Sequence, residues 1–109
     1  MATTLKVLAQ NSPSAATLTT LYTVPAVTSA VCSSIVVCNR SSVSTSFRIA
    51  VRPAGAAIAN QHYIYYDVII SGNDTFIATI GISLATTDVL SVYATLATLS
   101  FSVYGQENT

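Results

Sequence analysis

The stretch Ser44–Arg52, STSFRIAVR, decides the fold class because its side chains alternate in polarity from one residue to the next. Apolar and polar side chains therefore fall on opposite faces, the polar face carrying Arg48 and Arg52. A period of two is typical of a half-buried strand in an antiparallel sheet. The segment Thr98–Tyr104 shows the same alternation, with Leu99, Phe101 and Val103 on its apolar face.

Strand-forming residues dominate several further segments on both sides of this stretch, and short turn signals separate them. The segments are Thr17–Val24, Ala30–Asn39, Gln61–Ile70, Thr75–Ile82 and Val89–Ala94. No segment keeps a helical period of about 3.6 residues. The sequence therefore predicts an all-β, single-domain antiparallel β-sandwich of about seven to eight strands, with jelly-roll or immunoglobulin-like topology.

The two ends of the chain differ from the middle. Residues 1–16 contain the breaker cluster NSPSAA, while Leu5, Val7 and Ala9 alternate with polar neighbours. We interpret 1–16 as an N-terminal arm or an edge strand, and 17–105 as the sandwich. Residues 106–109 are polar, and we expect them to form a tail that leaves the fold.

Composition excludes several functional classes. The 109 residues are 51% hydrophobic and 7% charged, with a formal net charge of zero. Nucleic-acid binding needs a basic excess, disorder needs high charge, and a membrane-spanning helix needs a long apolar run. We therefore expect no nucleic-acid or membrane partner. No secretory signal is visible, and an uncharged surface favours self-association into a homo-oligomer such as a dimer or trimer.

The two cysteines lie in one apolar run, VCSSIVVC. Cys32 and Cys38 would be about 20 Å apart in a strand, too far for a disulfide between them. Their even spacing predicts that they share a face. We expect buried, reduced thiols made in a reducing cytoplasm, with pairing between chains as the alternative.

Catalytic constellations are not expected. Asp74 and Asp88 stand in turn signals, Glu107 lies in the polar tail, and Asp67 is the one acid within a strand. The single histidine, His62, has no nucleophile elbow to accompany it. The sequence therefore predicts no enzyme, no cofactor and no metal site.

Two clusters are candidates for a protein interface. Tyr63 and Tyr65 in QHYIYYD are predicted to share one strand face, with His62 on the other, and tyrosine is frequent at interfaces and sugar sites. Arg48 and Arg52 lie on one face and could dock to an acidic neighbour. A tyrosine-capped core edge and a merely solvated arginine face are the alternatives. Leu5 and Val7 of the N-terminal segment complete the candidate contacts.

The stretch SFRIAVRPAGAAIANQHYIYYD, with the segments on either side of it, resembles small virion proteins of tailed bacteriophages, cyanophages in particular. The resemblance spans about residues 17–105 and is carried by an overall pattern that includes F-R-x-A-x-R-P-A-G, N-Q-H-Y and D-x-x-S-V-Y. Some of these proteins are capsid cement, or decoration, proteins. The resemblance implies a β-sandwich that binds the outside of the major capsid shell, oligomerises there and has no enzymatic activity.

The expected function is therefore a structural one. The chain is predicted to bind the major capsid protein and other copies of itself on the outer capsid surface of a virion, after synthesis in the host cytoplasm. Many modest contacts on one lattice would act together to stabilise the shell. The alternative is an adhesin-like module associated with a tail or fibre, whose tyrosines stack on host glycans.

Overall fold

The computed structural model describes residues 2–109, which form nine β-strands and two short 3-10 turns. The strands pair antiparallel with one another, which confirms the predicted all-β sandwich. The turns Pro53–Gly55 and Asn60–His62 lie between the fourth and fifth strands. The strands are β1 Thr3–Asn11, β2 Thr19–Thr23, β3 Ser29–Asn39, β4 Thr45–Arg52, β5 Tyr63–Ile70, β6 Thr75–Ala78, β7 Ile82–Leu84, β8 Val89–Ala94 and β9 Leu99–Asn108.

The strand order is that of a long hairpin rolled up on itself. The pairs β4–β5, β3 with β6 and β7, β2–β8 and β1–β9 are nested one inside the next. Rolling the hairpin then adds the pairs β3–β9 and β4–β8. Two facing sheets result, β1-β9-β3-β6 with β7 also on β3, and β2-β8-β4-β5. This is jelly-roll topology, the first of the two arrangements that the sequence pattern allowed.

The core fills the space between the two sheets. Phe47 of β4 lies at its centre, with its ring centroid 6.1 Å from that of Phe101 and 5.1 Å from that of Phe76. The two segments with the clearest alternation are β4 and β9, and their apolar faces point inward as predicted. The fully buried aliphatic side chains around them are Ile35, Val37, Ile49, Leu90, Val92, Leu99 and Val103.

One predicted strand is divided in two. Thr75–Ile82 was expected to be continuous, but β6 ends at Ala78 and β7 begins at Ile82. Gly81, with a φ of +61°, lies between them in a conformation that favours glycine. Both short strands pair with β3, whose eleven residues are long enough to hold them end to end.

The prediction of a C-terminal tail over residues 106–109 is wrong. Strand β9 continues to Asn108, and Thr109 exchanges two backbone hydrogen bonds with Ala2. Glu107 accepts hydrogen bonds from the Tyr22 hydroxyl at 2.5 Å and from Lys6 Nζ at 3.3 Å. These non-local partners hold a polar segment in the sheet, in which β1 is the edge strand beside β9.

Candidate interaction surfaces

The outer face of the β2-β8-β4-β5 sheet carries an arginine enclosed by aromatic rings. The Arg48 guanidinium carbon lies 4.2 Å from the ring centroid of Tyr66 and 4.4 Å from that of Tyr93. Its Nε donates to Asp67 Oδ1 at 2.6 Å, and this hydrogen bond raises the pKa of Arg48 above its usual range. Cation–π contacts and the ion pair together orient the side chain. We call Arg48, Tyr63, Tyr66, Asp67 and Tyr93 the arginine–tyrosine cluster.

A β-bulge assembles this cluster. Phe47 pairs with Val68 and Ile49 with Tyr65, so two residues of β5, Tyr66 and Asp67, lie opposite Arg48 alone. Asp67 takes a φ of +51°, which is uncommon outside glycine and occurs in β-bulges. The extra residue brings the aromatic ring and the carboxylate to the same side of the sheet as the guanidinium.

The expectation that Tyr63 and Tyr65 share a face is wrong. Tyr63 pairs with Ala50 while Tyr65 pairs with Ile49, so Ile64 is an extra residue between them. Tyr65 consequently packs inward, with its ring centroid 5.3 Å from that of Phe76. Tyr63 lies outside, edge-on to Tyr66 at 5.0 Å.

Arg52 and His62 are both engaged in holding the connection between β4 and β5. Arg52 donates from Nε to Ser91 Oγ at 3.0 Å and from Nη1 to the Ala56 carbonyl at 2.9 Å. His62 is buried, and its Nδ1 accepts from the Ala59 N–H at 3.0 Å. Both side chains therefore have partners within the chain, and a role for them in contacts with another protein stays a prediction.

The outer face of the β1-β9-β3-β6 sheet has a different character. Strand register aligns its outward side chains in rows across the sheet, such as Val7–Tyr104–Ser34 and Gln10–Ser102–Val36–Ile77. We call this surface the neutral face. Its outward side chains include Leu5, Val7, Gln10, Val31, Ser34, Val36, Cys38, Thr75, Ile77, Ser83, Ser100, Ser102, Tyr104 and Gln106.

No charged side chain lies in these rows. Lys6 and Glu107 are the two charged residues in the strands of this sheet, and both point to the side opposite the neutral face. There Glu107 accepts hydrogen bonds from Lys6 and from Tyr22 of the opposite sheet. Apolar side chains nevertheless remain exposed on the neutral face, including Leu5 at 78% and Ile77 at 65% of their full accessibility. Exposed apolar residues without interspersed charge are characteristic of a surface that another protein covers.

The two cysteines lie on opposite faces of β3, which corrects the expectation that they share one. Cys32 pairs with Gly105 and Ser34 with Tyr104, so Ser33 is an extra residue that inverts the alternation. Cys32 points into the core, and burial raises the pKa of its thiol to about 11. Cys38 is half-buried on the neutral face, and both cysteines are free.

The acids of the two turn signals, Asp74 and Asp88, accept hydrogen bonds from backbone N–H groups. Asp88 accepts from the backbone N–H of Ala54 and of Ala85, both at 2.9 Å, and Asp74 accepts from the N–H of Thr75 at 2.8 Å. Within residues 2–109, no group of three histidine, cysteine, aspartate or glutamate residues could hold a metal ion. Across the same residues, no helix is long and apolar enough to cross a membrane.

Sequence reasoning found Arg48 and Tyr63 as contact candidates but missed Tyr66, Asp67 and Tyr93. The alternation of β8 does place Ser91 and Tyr93 on one face, so the outward position of Tyr93 could have been found. The position of Tyr93 beside Arg48 could not have been found in the same way, because it depends on the pairing of β4 with β8.

Comparison with known proteins adds no family assignment. No family model matches the chain, no curated protein matches it, and no solved structure matches it. The two surfaces themselves are therefore what indicates a function.

Proposed function

We propose that this chain is a structural protein of a phage virion, a capsid cement protein that binds the outer surface of the major capsid shell and stabilises it. The observation that carries the proposal is the composition of the neutral face. This face is broad and uncharged, and it mixes exposed aliphatic side chains with serine, threonine and glutamine. The cores of protein interfaces are depleted in charge in the same way.

The mechanism of such a protein is passive. Each copy would lie across a junction between capsid subunits and bury the neutral face against them, so that opening the junction exposes apolar surface to water. Copies of the chain would also associate with one another on the shell. A contact of modest strength becomes effective when many copies occupy one lattice.

Two further observations support this function. Jelly-roll domains recur among viral capsid proteins, although the same topology also occurs in lectins and in other classes of protein. The sequence pattern of residues 17–105 resembles small phage virion proteins. Neither observation identifies the surface that contacts the capsid shell. For that surface the proposal relies on the neutral face.

The test compares purified phage particles with and without the protein for resistance to heat and osmotic shock. We expect bare particles to rupture earlier and added protein to restore them. Ile77→Lys places a charge on the neutral face, whereas Ile69→Lys is a matched control, since Ile69 is 78% exposed on β5 of the opposite sheet. We expect the Ile69→Lys protein to restore resistance and the Ile77→Lys protein to fail.

Two results would contradict the proposal. Equal resistance of particles with and without the protein would exclude a cement role. Full restoration by Ile77→Lys together with failure of Ile69→Lys would show that the opposite sheet, rather than the neutral face, contacts the shell. Circular dichroism of both variants checks that each is folded.

A second candidate function, the adhesin-like module that binds host glycans, is favoured by the arginine–tyrosine cluster. The Tyr66 ring is 58% exposed and could stack on a sugar ring, while the adjacent Asp67 carboxylate could accept a hydrogen bond from a sugar hydroxyl. This candidate predicts glycan-array binding that Tyr66→Ala abolishes. An array without signal would argue against it.

A further inference from the structure

The register of β1 on β9 determines which residues of β1 direct their backbone N–H and C=O groups to its open edge. Ala2 and Thr109 each donate to the carbonyl of the other at 2.9 Å. In an antiparallel ladder such hydrogen-bonded pairs alternate with non-bonded pairs. The bonds to β9 are therefore made by Thr4 and Lys6, while Thr3, Leu5 and Val7 direct their N–H and C=O groups away from β9.

We propose that a second copy of this chain covers this edge by antiparallel pairing of β1 with β1 about a two-fold axis at Leu5. The inference deepens, and rests on, the self-association included in the proposed function. In this register Leu5 faces Leu5 of the second copy, and Thr3 faces Val7. Each of the three pairs exchanges two hydrogen bonds, about six in all.

Neighbouring registers are less favourable. Counting only residues 2–109, which the structure describes, moving the axis to Thr4 or Lys6 leaves two bonded pairs instead of three. The axis at Lys6 also places the two Lys6 residues directly opposite each other, which is destabilising for like charges. With the axis at Leu5, Lys6 faces Thr4 and keeps its ion pair with Glu107. The bulge between Val7 and Ala9 interrupts the regular pattern of β1, so the ladder between the two copies ends at Val7.

A second copy fits this edge better than an unrelated strand for two reasons. The open groups of Thr3, Leu5 and Val7 are symmetric about Leu5, so the edge complements itself without an insertion or an offset. Leu5 is 78% exposed on the neutral face, and a symmetry-related leucine supplies an apolar cross-strand neighbour. Pairing would join two neutral faces into one continuous surface without bringing charges together.

The decisive experiment is cross-linking through one introduced cysteine in the full chain, in a Cys38→Ser background where the remaining native thiol, Cys32, is buried. Leu5→Cys brings two thiols opposite each other across the axis, within the range of a disulfide. Val7→Cys is the matched control on the same strand and face, where the two Cα atoms would be about 14 Å apart. We expect a disulfide-linked dimer from Leu5→Cys under mild oxidation, and none from Val7→Cys.

A second variant tests the backbone bonds. Leu5→Pro removes an N–H that faces the open edge but leaves the bonds from Thr4 and Lys6 to β9 intact. We expect the unaltered chain to sediment as a dimer at concentrations approaching about 1 mM, and the folded Leu5→Pro protein to sediment as a monomer.

Three outcomes would overturn the inference: a monomeric unaltered chain over that concentration range, a dimer that persists in Leu5→Pro, or cross-linking of Val7→Cys in preference to Leu5→Cys. These measurements use the purified chain alone, so they are independent of the particle assay for the cement function. A dimer without any effect on particles would refute the cement role and leave the pairing standing.

Discussion

Replacing Gly105 with alanine perturbs a place where two central strands lie close together. Gly105 of β9 pairs with Cys32 of β3, next to the bulge at Ser33. A Cβ built on Gly105 would overlap the backbone carbonyl oxygen of Val31 and lie 3.0 Å from the Cα of Cys32. Both obstacles belong to the backbone, so no side-chain rotation can relieve them, and β9 must move away from β3.

The size of the effect follows from what that movement breaks. Overpacking of a well-packed site costs about 1–3 kcal/mol. Separating the end of β9 from β3 also loses ladder hydrogen bonds, each with a net contribution of about 0.5–1.5 kcal/mol. We therefore expect Gly105→Ala to lower the free energy of unfolding by about 3 kcal/mol or more. For a domain of about 100 residues this corresponds to a fall in Tm of roughly 12 °C or more.

Gly81→Ala provides the control. Gly81 has a φ of +61°, but a Cβ there meets no atom within 4 Å. Only backbone strain remains, about 1–2 kcal/mol for an L-residue in the left-handed region. Urea unfolding followed by circular dichroism measures both variants against the unaltered chain. If Gly105→Ala costs no more than Gly81→Ala, the pairing of Gly105 with Cys32 is wrong.

Three further predictions follow from individual side chains. The Tyr22 hydroxyl donates a hydrogen bond that lowers the pKa of Glu107 below its ordinary 4.5. The stability that this contact contributes is therefore fully present above about pH 4.5, and it is lost as the pH falls through the pKa of Glu107 in the folded protein. Urea midpoints should consequently fall below about pH 4.5, and less steeply in Glu107→Gln; parallel profiles would contradict this. Burial raises the pKa of Cys32 to about 11. Iodoacetamide should therefore label Cys32 far more slowly in the folded Cys38→Ser protein than in the same protein unfolded in urea. Equal labelling rates, measured by mass spectrometry, would refute the burial of Cys32. Asp67→Asn should cost less than about 1 kcal/mol, because the Asp67 side chain of the ion pair with Arg48 is 47% exposed to water. Asp67→Val should cost about 1–3 kcal/mol more, because a β-branched residue is strained at the φ of +51°. Thermal melts of equal midpoint would exclude that strain.

Alternation of apolar and polar residues was sufficient to predict the strands but not the side to which every side chain points. In β4 and in the part of β9 from Leu99 to Tyr104 the period of two is unbroken, and the apolar residues form the core as expected. Bulges at Ser33, Ile64 and Tyr66–Asp67 each insert one residue. One extra residue moves every later side chain to the opposite face, and the sequence contains no signal that fixes where it occurs.

The errors at the candidate sites have the same origin. Cys32 and Cys38, and Tyr63 and Tyr65, were expected to share faces because their spacing is even, and in each pair a bulge separates them. The C-terminal residues were expected to leave the fold because they are polar. Glu107 stays in the sheet through Lys6 and Tyr22, which are distant in sequence. Contacts between distant segments decide these features, and local composition does not report them.

The distribution of charge distinguishes the outer faces of the two sheets. Arg48, Arg52 and Asp67 lie on the outer face of the β2-β8-β4-β5 sheet, whereas the neutral face has no charge to keep other chains away. Natural proteins commonly protect an open strand edge with an outward lysine. Lys6, the one lysine of β1, instead bonds Glu107 on the side opposite Leu5 and Val7. Because Lys6 does not lie on the neutral face, neither that face nor its open edge carries a charge that would have to be desolvated on burial, which is what the proposed assembly requires.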